Sequence, residues 1–104
     1  MSLATDLATR DAWAESGLKA VAATVIAVRG TAPRPPGARM MISSSGEVVG
    51  SVSGGCVESE VATHAEQVFA TGEAVVVTFG ISDDAAFSVG LACGGSIDVL
   101  IEPW

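Results

Sequence analysis

Ala20 to Val28 is one apolar run, interrupted by Thr24 alone and rich in β-branched residues. A half-buried strand would alternate apolar and polar residues, and an amphipathic helix would repeat its apolar positions every three to four. The run is too short to cross a bilayer, which takes about 20 residues in a helix. It therefore reads as a central strand, Val21 to Val28, covered on both faces. In a chain of 104 residues that strand belongs to a single domain with one core.

The flanking segments supply the cover. Ala4 to Ser16 reads as a helix capped by Ser2 or Thr5, with Leu7 and Trp13 turned inward and Gly17 as its stop. After Arg29-Gly30 comes Thr31-Ala32-Pro33-Arg34-Pro35-Pro36-Gly37, a loop stiffened by its prolines. Ala38 to Ser43 and Glu47 to Val52 form a hairpin about the turn Ser44-Ser45-Gly46. Val57 to Ala70 carries Val57, Val61, Ala65 and Val68 at helical spacing, with Phe69 beside them, Ser53 as N-cap and Gly72 as stop. Glu73 to Phe79, with Val75-Val76-Val77, reads as a buried strand, Gly80 to Gly90 as a loop, and Ser96 to Glu102 as the last strand. The order is α-β-β-β-α-β-β. The fold class is α+β, a mixed β-sheet of about five strands flanked by two helices.

Charge excludes some partners. Lys and Arg total 5 against 12 Asp and Glu, for a formal charge of −7 and a pI near 4.3. Neither nucleic acid nor an anionic membrane surface suits such a chain. A hydrophobic content of 49% and a mean hydropathy of +0.51 argue against disorder. No basic segment followed by an apolar stretch opens the chain, so no signal peptide is expected. Two cysteines, Cys56 and Cys93, do not make a disulfide framework; a reduced, cytoplasmic pair is the default, and their spacing leaves open whether they meet in space.

The cations are gathered. Arg29, Arg34 and Arg39 share one stretch, while Arg10 and Lys19 lie elsewhere. A rigid loop presenting Arg34, with Arg39 just beyond, loses little entropy in gripping an anion. The plain alternative is a connector with solvated arginines.

Gly50-Ser51-Val52-Ser53-Gly54-Gly55-Cys56-Val57-Glu58 reads as a strand end, a glycine turn and a helix start, and Cys93-Gly94-Gly95 is its near mirror image. Glycines let a backbone approach a ligand closely. A helix start offers free N–H groups to an anion and favours the thiolate of a cysteine in its first turn, here Cys56. Most free cysteines are inert packing, but each of these abuts paired glycines, which a core position does not need. Sulfur transfer, cofactor ligation and redox sensing are open to such a thiolate.

Other chemistry has little support. Two cysteines and His64 are too few for structural zinc, and His64 reads as a packing residue of its helix. Asp83-Asp84 reads as a solvated pair. The glycine spacing matches neither a dinucleotide fingerprint nor a P-loop. With His64 alone, a Ser-His-Asp hydrolase is not indicated.

Taken in order, the segment Gly30 to Met40, the segment Gly50 to Glu58 and Cys93-Gly94-Gly95 together resemble the XdhC/CoxI family. Trp13, the strand after Lys19 and Ile101-Glu102-Pro103 extend the resemblance over nearly the whole chain. It implies that residues 1–104 form the family's N-terminal domain, the Rossmann-like C-terminal domain of typical members lying outside them. It implies an accessory maturation factor rather than an enzyme. Such a factor binds molybdenum cofactor (molybdopterin) transiently and assists its sulfuration with a cysteine desulfurase. It then delivers the cofactor to an apo molybdenum hydroxylase of the xanthine dehydrogenase or carbon monoxide dehydrogenase type. A homo-oligomer is left open.

By resemblance, cofactor binding falls on Arg34, Arg39, Ser53, Gly54, Gly55, Cys56, Glu58, Cys93, Gly94 and Gly95, with Ala92 standing where the family pattern has glycine. The arginines would hold phosphate, the Ser53–Gly55 segment would add N–H donors, and the thiols would meet the metal–sulfur end. No catalytic residue or resident metal is assigned. The alternatives are a thiol-dependent redox or sulfur-transfer enzyme using Cys56, and a structural protein-interaction module. The expectation to test is that the three motifs share one hollow.

Overall fold

The computed structural model describes residues 3–30, 34–53, 57–80 and 95–104. Expectations for Ser2, Gly54, Gly55, Cys56, Asp83, Asp84, Cys93 and Gly94 lie outside the described residues. The elements are α1 (Leu3–Glu15), β1 (Ala20–Arg29), β2 (Arg39–Ser43), β3 (Val48–Gly50), α2 (Glu58–Thr71), β4 (Val75–Gly80) and β5 (Ser96–Pro103). The strands form one sheet in the order β3-β2-β1-β5-β4, with the apolar β1 at its centre.

Every pairing is antiparallel, so the sheet is not the mixed one expected. The cause is where β5 goes. Strands β1 and β4 run the same way, but β5 reverses after β4 and slots between them, so the two parallel strands never pair.

Helix α2 covers one face. Val57, Val61, Ala65 and Val68 are fully buried against Val21, Ala23, Val25, Met40, Ile42, Ile97, Val99 and Ile101. These are alternate residues of each strand, as a pleated sheet with one face on the core demands. Burying each valine of the stripe contributes about 1.5–3 kcal/mol. Gly72 ends the helix in the left-handed region, its N–H donating to the Val68 carbonyl at 2.8 Å. His64 packs edge-on against Phe79, with ring centroids 6.0 Å apart, as a packing residue should.

Helix α1 covers part of the other face, where Trp13 packs with Ala20 and Met41. Ala20 to Ala23 is thus buried on both faces, but β1 opens further along, where a bulge between Val25 and Ala27 leaves Ile26 49% exposed. Thr5 lies inside α1 rather than at its cap, and Leu7 is half-buried, while Asp6 turns inward. β4 is an edge strand with Val75 and Val76 exposed and Val77 only partly buried against the core, so the valine run is not the fully buried strand expected.

The register sets Arg29, Ser96 and Gly80 side by side at one end of the sheet, whereas Gly50 pairs with Met40 level with Ala23, six residues back along β1. At this end the Arg29 guanidinium grips Asp98 at 3.0 and 2.6 Å and donates to Ser96 Oγ, while the Thr78 hydroxyl also donates to Asp98. The hydrogen bonds from Arg29 and then from Thr78 hold the Asp98 carboxyl down at about 2, below its ordinary 3.8. Because the folded value is depressed, the stability from this pair is present above about pH 4 and is lost as pH falls through about 2. The melting temperature of the wild type should therefore fall more steeply between pH 5 and pH 2 than that of Asp98→Asn. The difference should be small, since the pair is solvent-exposed.

Candidate functional site

The three arginines of the basic stretch have three different fates. Arg29 is held by Asp98. Arg39 points to the α1 face, where its Nη1 donates to Asp6 Oδ2 at 2.8 Å and its guanidinium carbon lies 5.0 Å from the centre of the Trp104 ring. Arg34 makes no ion pair among the described residues, and its Nε is buried without a protein partner.

Local backbone chemistry fixes Arg34. The Ala38 N–H donates to the Pro35 carbonyl at 3.1 Å, closing a four-residue turn. Pro36 at its second position and Gly37, with φ +93°, at its third are the residues a type II turn requires. Gly37 N–H and Ala38 C=O then bracket Val25, tying the turn to β1 just before the bulge. Arg34 enters this turn directly, so its guanidinium is presented by a backbone with little freedom.

A cavity of about 370 Å³ opens between this turn and the start of α1, lined by Leu3, Asp6, Arg34, Pro35, Pro36 and Arg39 among others. That volume falls within the range of small-molecule sites, about 300–1,000 Å³. Asp6 is only 2% exposed, and its Oδ1 has no partner among the described residues. Asp6 and Arg34, two residues of the cavity lining, each hold one fully buried polar atom with no partner among the described residues. Sequence reading missed Asp6, since an acid in a first helical turn reads as a match for the helix dipole. The available signal was its spacing, seven residues before Trp13 and so on the same helical face.

Ser53 and Glu58 do a different job. The Glu58 carboxylate accepts from Val52 N–H at 2.9 Å, Ser53 N–H at 3.0 Å and the Ser53 hydroxyl at 2.5 Å. The Ser53 Oγ in turn accepts the Val57 N–H at 3.0 Å. Ser53 is thus not the N-cap expected; that position is Val57, which has no side-chain cap, and Ser53 serves the residue before the helix. Neither Ser53 nor Glu58 lines the Arg34 cavity. They are grouped at the start of α2, the helix on the opposite face from α1.

Gly95 sits where backbones crowd. A Cβ on Gly30 would lie 3.4 Å from the Gly95 Cα, and one on Gly80 would lie 3.0 Å from the Gly95 carbonyl and closer still to Ser96. The close approach therefore requires glycine at Gly80, where an added Cβ would clash. The described site residues therefore fall into separate places, Arg34 with Arg39, Ser53 with Glu58, and Gly95 beside Gly30 and Gly80, rather than one hollow. Among the described residues no cluster of His, Cys, Asp and Glu suits a metal ion. A second cavity of about 360 Å³, lined by Leu18, Lys19, Phe69, Gly72 and Trp104 among others, lies toward the other end and holds none of the candidate site residues. No described helix is long and apolar enough to cross a membrane.

Comparison with known proteins agrees with the motifs. The model of the XdhC and CoxI family matches residues 13–80. The chain is 37% identical over 87 residues to the molybdenum cofactor insertion chaperone PaoD of Escherichia coli (strain K12), covering 84% of this chain and 27% of that protein. It is 35% identical over 97 residues to a protein of Bacillus subtilis (strain 168) named as a probable subunit of xanthine dehydrogenase, covering 88% of this chain and 28% of that one. A crystal structure of a xanthine dehydrogenase from Bacillus halodurans superposes with a TM-score of 0.76 at 34% identity, over 94% of this chain and 30% of that chain. The chain thus spans less than a third of the length of these relatives. On the family match, the identities and the shared fold, this chain belongs to the XdhC and CoxI family.

Proposed function

We propose that this chain is the N-terminal, cofactor-binding module of a maturation factor for molybdenum hydroxylases. It binds molybdenum cofactor transiently and passes it to an apoenzyme of the xanthine dehydrogenase type. The observation that carries this reading is the cavity of about 370 Å³ that gathers Arg34 and Arg39 behind the proline turn. Guanidinium groups and apolar walls together fit molybdopterin, which carries hydrogen-bonding ring atoms and a phosphate. The naming of one relative as a molybdenum cofactor insertion chaperone supports the choice of ligand.

In this reading Arg34 and Arg39 hold the organic part of the ligand. The thiols of Cys56 and Cys93 suit its metal–sulfur end. Glu58 keeps the second turn in shape through Ser53. The bound cofactor is cargo, and its metal–sulfur centre serves the recipient enzyme. A cysteine desulfurase is the partner for sulfuration, and the apo hydroxylase is the acceptor.

The test is a titration of the purified chain with molybdopterin, comparing wild type with Arg34→Ala and Cys56→Ala. Arg34→Ala should weaken binding about tenfold or more, the usual size of one charge-assisted hydrogen bond. Wild-type affinity in both variants would remove this site from the account.

A further inference from the structure

Arg10 and Lys19, the two cations outside the basic stretch, both line the second cavity, of about 360 Å³. In a chain of net charge −7, none of the described acids lines it. The rest of its wall is largely apolar, with Leu18, Val68, Phe69, Pro103 and Trp104 prominent. An apolar hollow edged by positive charge complements an apolar molecule that carries one anionic group.

The lining groups keep accessible surface. Lys19 and Pro103 are exposed, the Arg10 side chain is 36% exposed, and Leu18, Phe69 and Trp104 are half-buried. A Cβ on Gly72 would meet nothing within 4 Å, so the end of α2 leaves its side of the cavity open. The aromatic wall is fixed before any ligand arrives. The Trp104 N–H donates to the Ala20 carbonyl at 2.9 Å, and the Arg10 and Arg39 guanidinium carbons lie 5.2 and 5.0 Å from the centre of its ring. Among the described residues Arg10 has one ion pair, to Asp11 at 3.5 Å between exposed side chains, worth under about 1 kcal/mol. Lys19 has none among those residues. An anion in the cavity therefore recruits both cations at little cost.

We propose that this cavity is a second ligand site, which takes a small apolar monoanion. Its ring or short-chain body lies against Leu18, Phe69 and Trp104, and Lys19 and Arg10 hold its carboxylate or sulfonate. The volume lies at the lower end of the range for ligand sites, about 300–1,000 Å³, and so keeps the body small. The site shares no residue with the Arg34 cavity and does not depend on the cofactor reading.

The experiment titrates the purified chain with anilinonaphthalenesulfonate, an aromatic monoanion that fluoresces in apolar sites. Phenylnaphthylamine, the same body without the sulfonate, is titrated in parallel. The proteins are wild type, Lys19→Gln, the double variant Arg10→Gln with Lys19→Gln, and Ala14→Phe, which fills the cavity from the exposed side of α1. Wild type should bind one sulfonate per chain. The double variant should bind it about tenfold or more weakly while binding the neutral probe as wild type does. Ala14→Phe should lose both probes. Lys19→Gln should keep the melting temperature of wild type. It decides the matter, through a loss of about threefold for the sulfonate alone, if the double variant melts early. Unchanged sulfonate binding without the cations would mean that they serve the carbonyl end of α2, whose last turn has no basic residue of its own, and would overturn the proposal. An equal loss of both probes in the double variant, wild-type binding in Ala14→Phe, or no sulfonate binding by wild type would each overturn it as well.

Discussion

Replacing Arg39 with methionine is expected to destabilise the fold by about 3–5 kcal/mol, the usual cost of stranding one partner of a buried ion pair. Asp6 is 2% exposed and would keep a charge with no counter-charge beside it. The loss also removes a guanidinium stacked 5.0 Å from the centre of the Trp104 ring, which ties the end of β5 to the α1 face. Adding Asp6→Leu to Arg39→Met should recover most of the loss, because apolar side chains of similar volume replace a buried pair at little cost. Urea denaturation of the two single variants and the double variant measures this directly. A loss below about 1 kcal/mol for Arg39→Met would show that the pair behaves like a solvated surface contact.

Glu58→Gln is expected to cost about 2–3 kcal/mol and to loosen the link between β3 and α2. The carboxylate accepts two backbone N–H groups and a hydroxyl, at 2.9, 3.0 and 2.5 Å. A glutamine keeps one acceptor oxygen but turns an NH₂ group towards these donors. Ser53, 1% exposed, would then have buried donors with no acceptor in reach. Faster amide exchange at Val52, Ser53 and Val57, with the rest of the sheet unchanged, is the local signature. Unchanged exchange there would mean that Glu58 does not hold this turn.

Much of the fold was legible because its signals are local and periodic. The apolar run of β1 marked the sheet's centre, and Val57, Val61, Ala65 and Val68 marked the face α2 buries. Gly72 marked a helix end, and Ser44-Ser45-Gly46 the turn of the β2–β3 hairpin. What the sequence did not carry is long-range. Nothing in Val75-Val76-Val77 says that β4 is an edge, because edge and centre are set by which strand lies beside it. Nothing local says that β5 inserts between β1 and β4, which makes the sheet antiparallel.

The site divides in the same way. The proline-rich stretch and its arginines stood out, and the structure does bring Arg34 and Arg39 to one cavity. Asp6 stayed hidden because its partner lies 33 residues away and a first-turn acid needs no partner to be explained. Ser53 and Glu58 were read as part of a ligand turn, whereas their hydrogen bonds fasten the chain to itself.

Hydrogen–deuterium exchange of the chain with and without molybdopterin tests the central claim most directly, because the two cavities lie in separable stretches of sequence. The account predicts slowed exchange at Gly37, Ala38 and Arg39 and in the first turn of α1, with Leu18 to Ala20 and Phe69 to Gly72 unaffected. Protection confined to those last two stretches, around the other cavity, would contradict it.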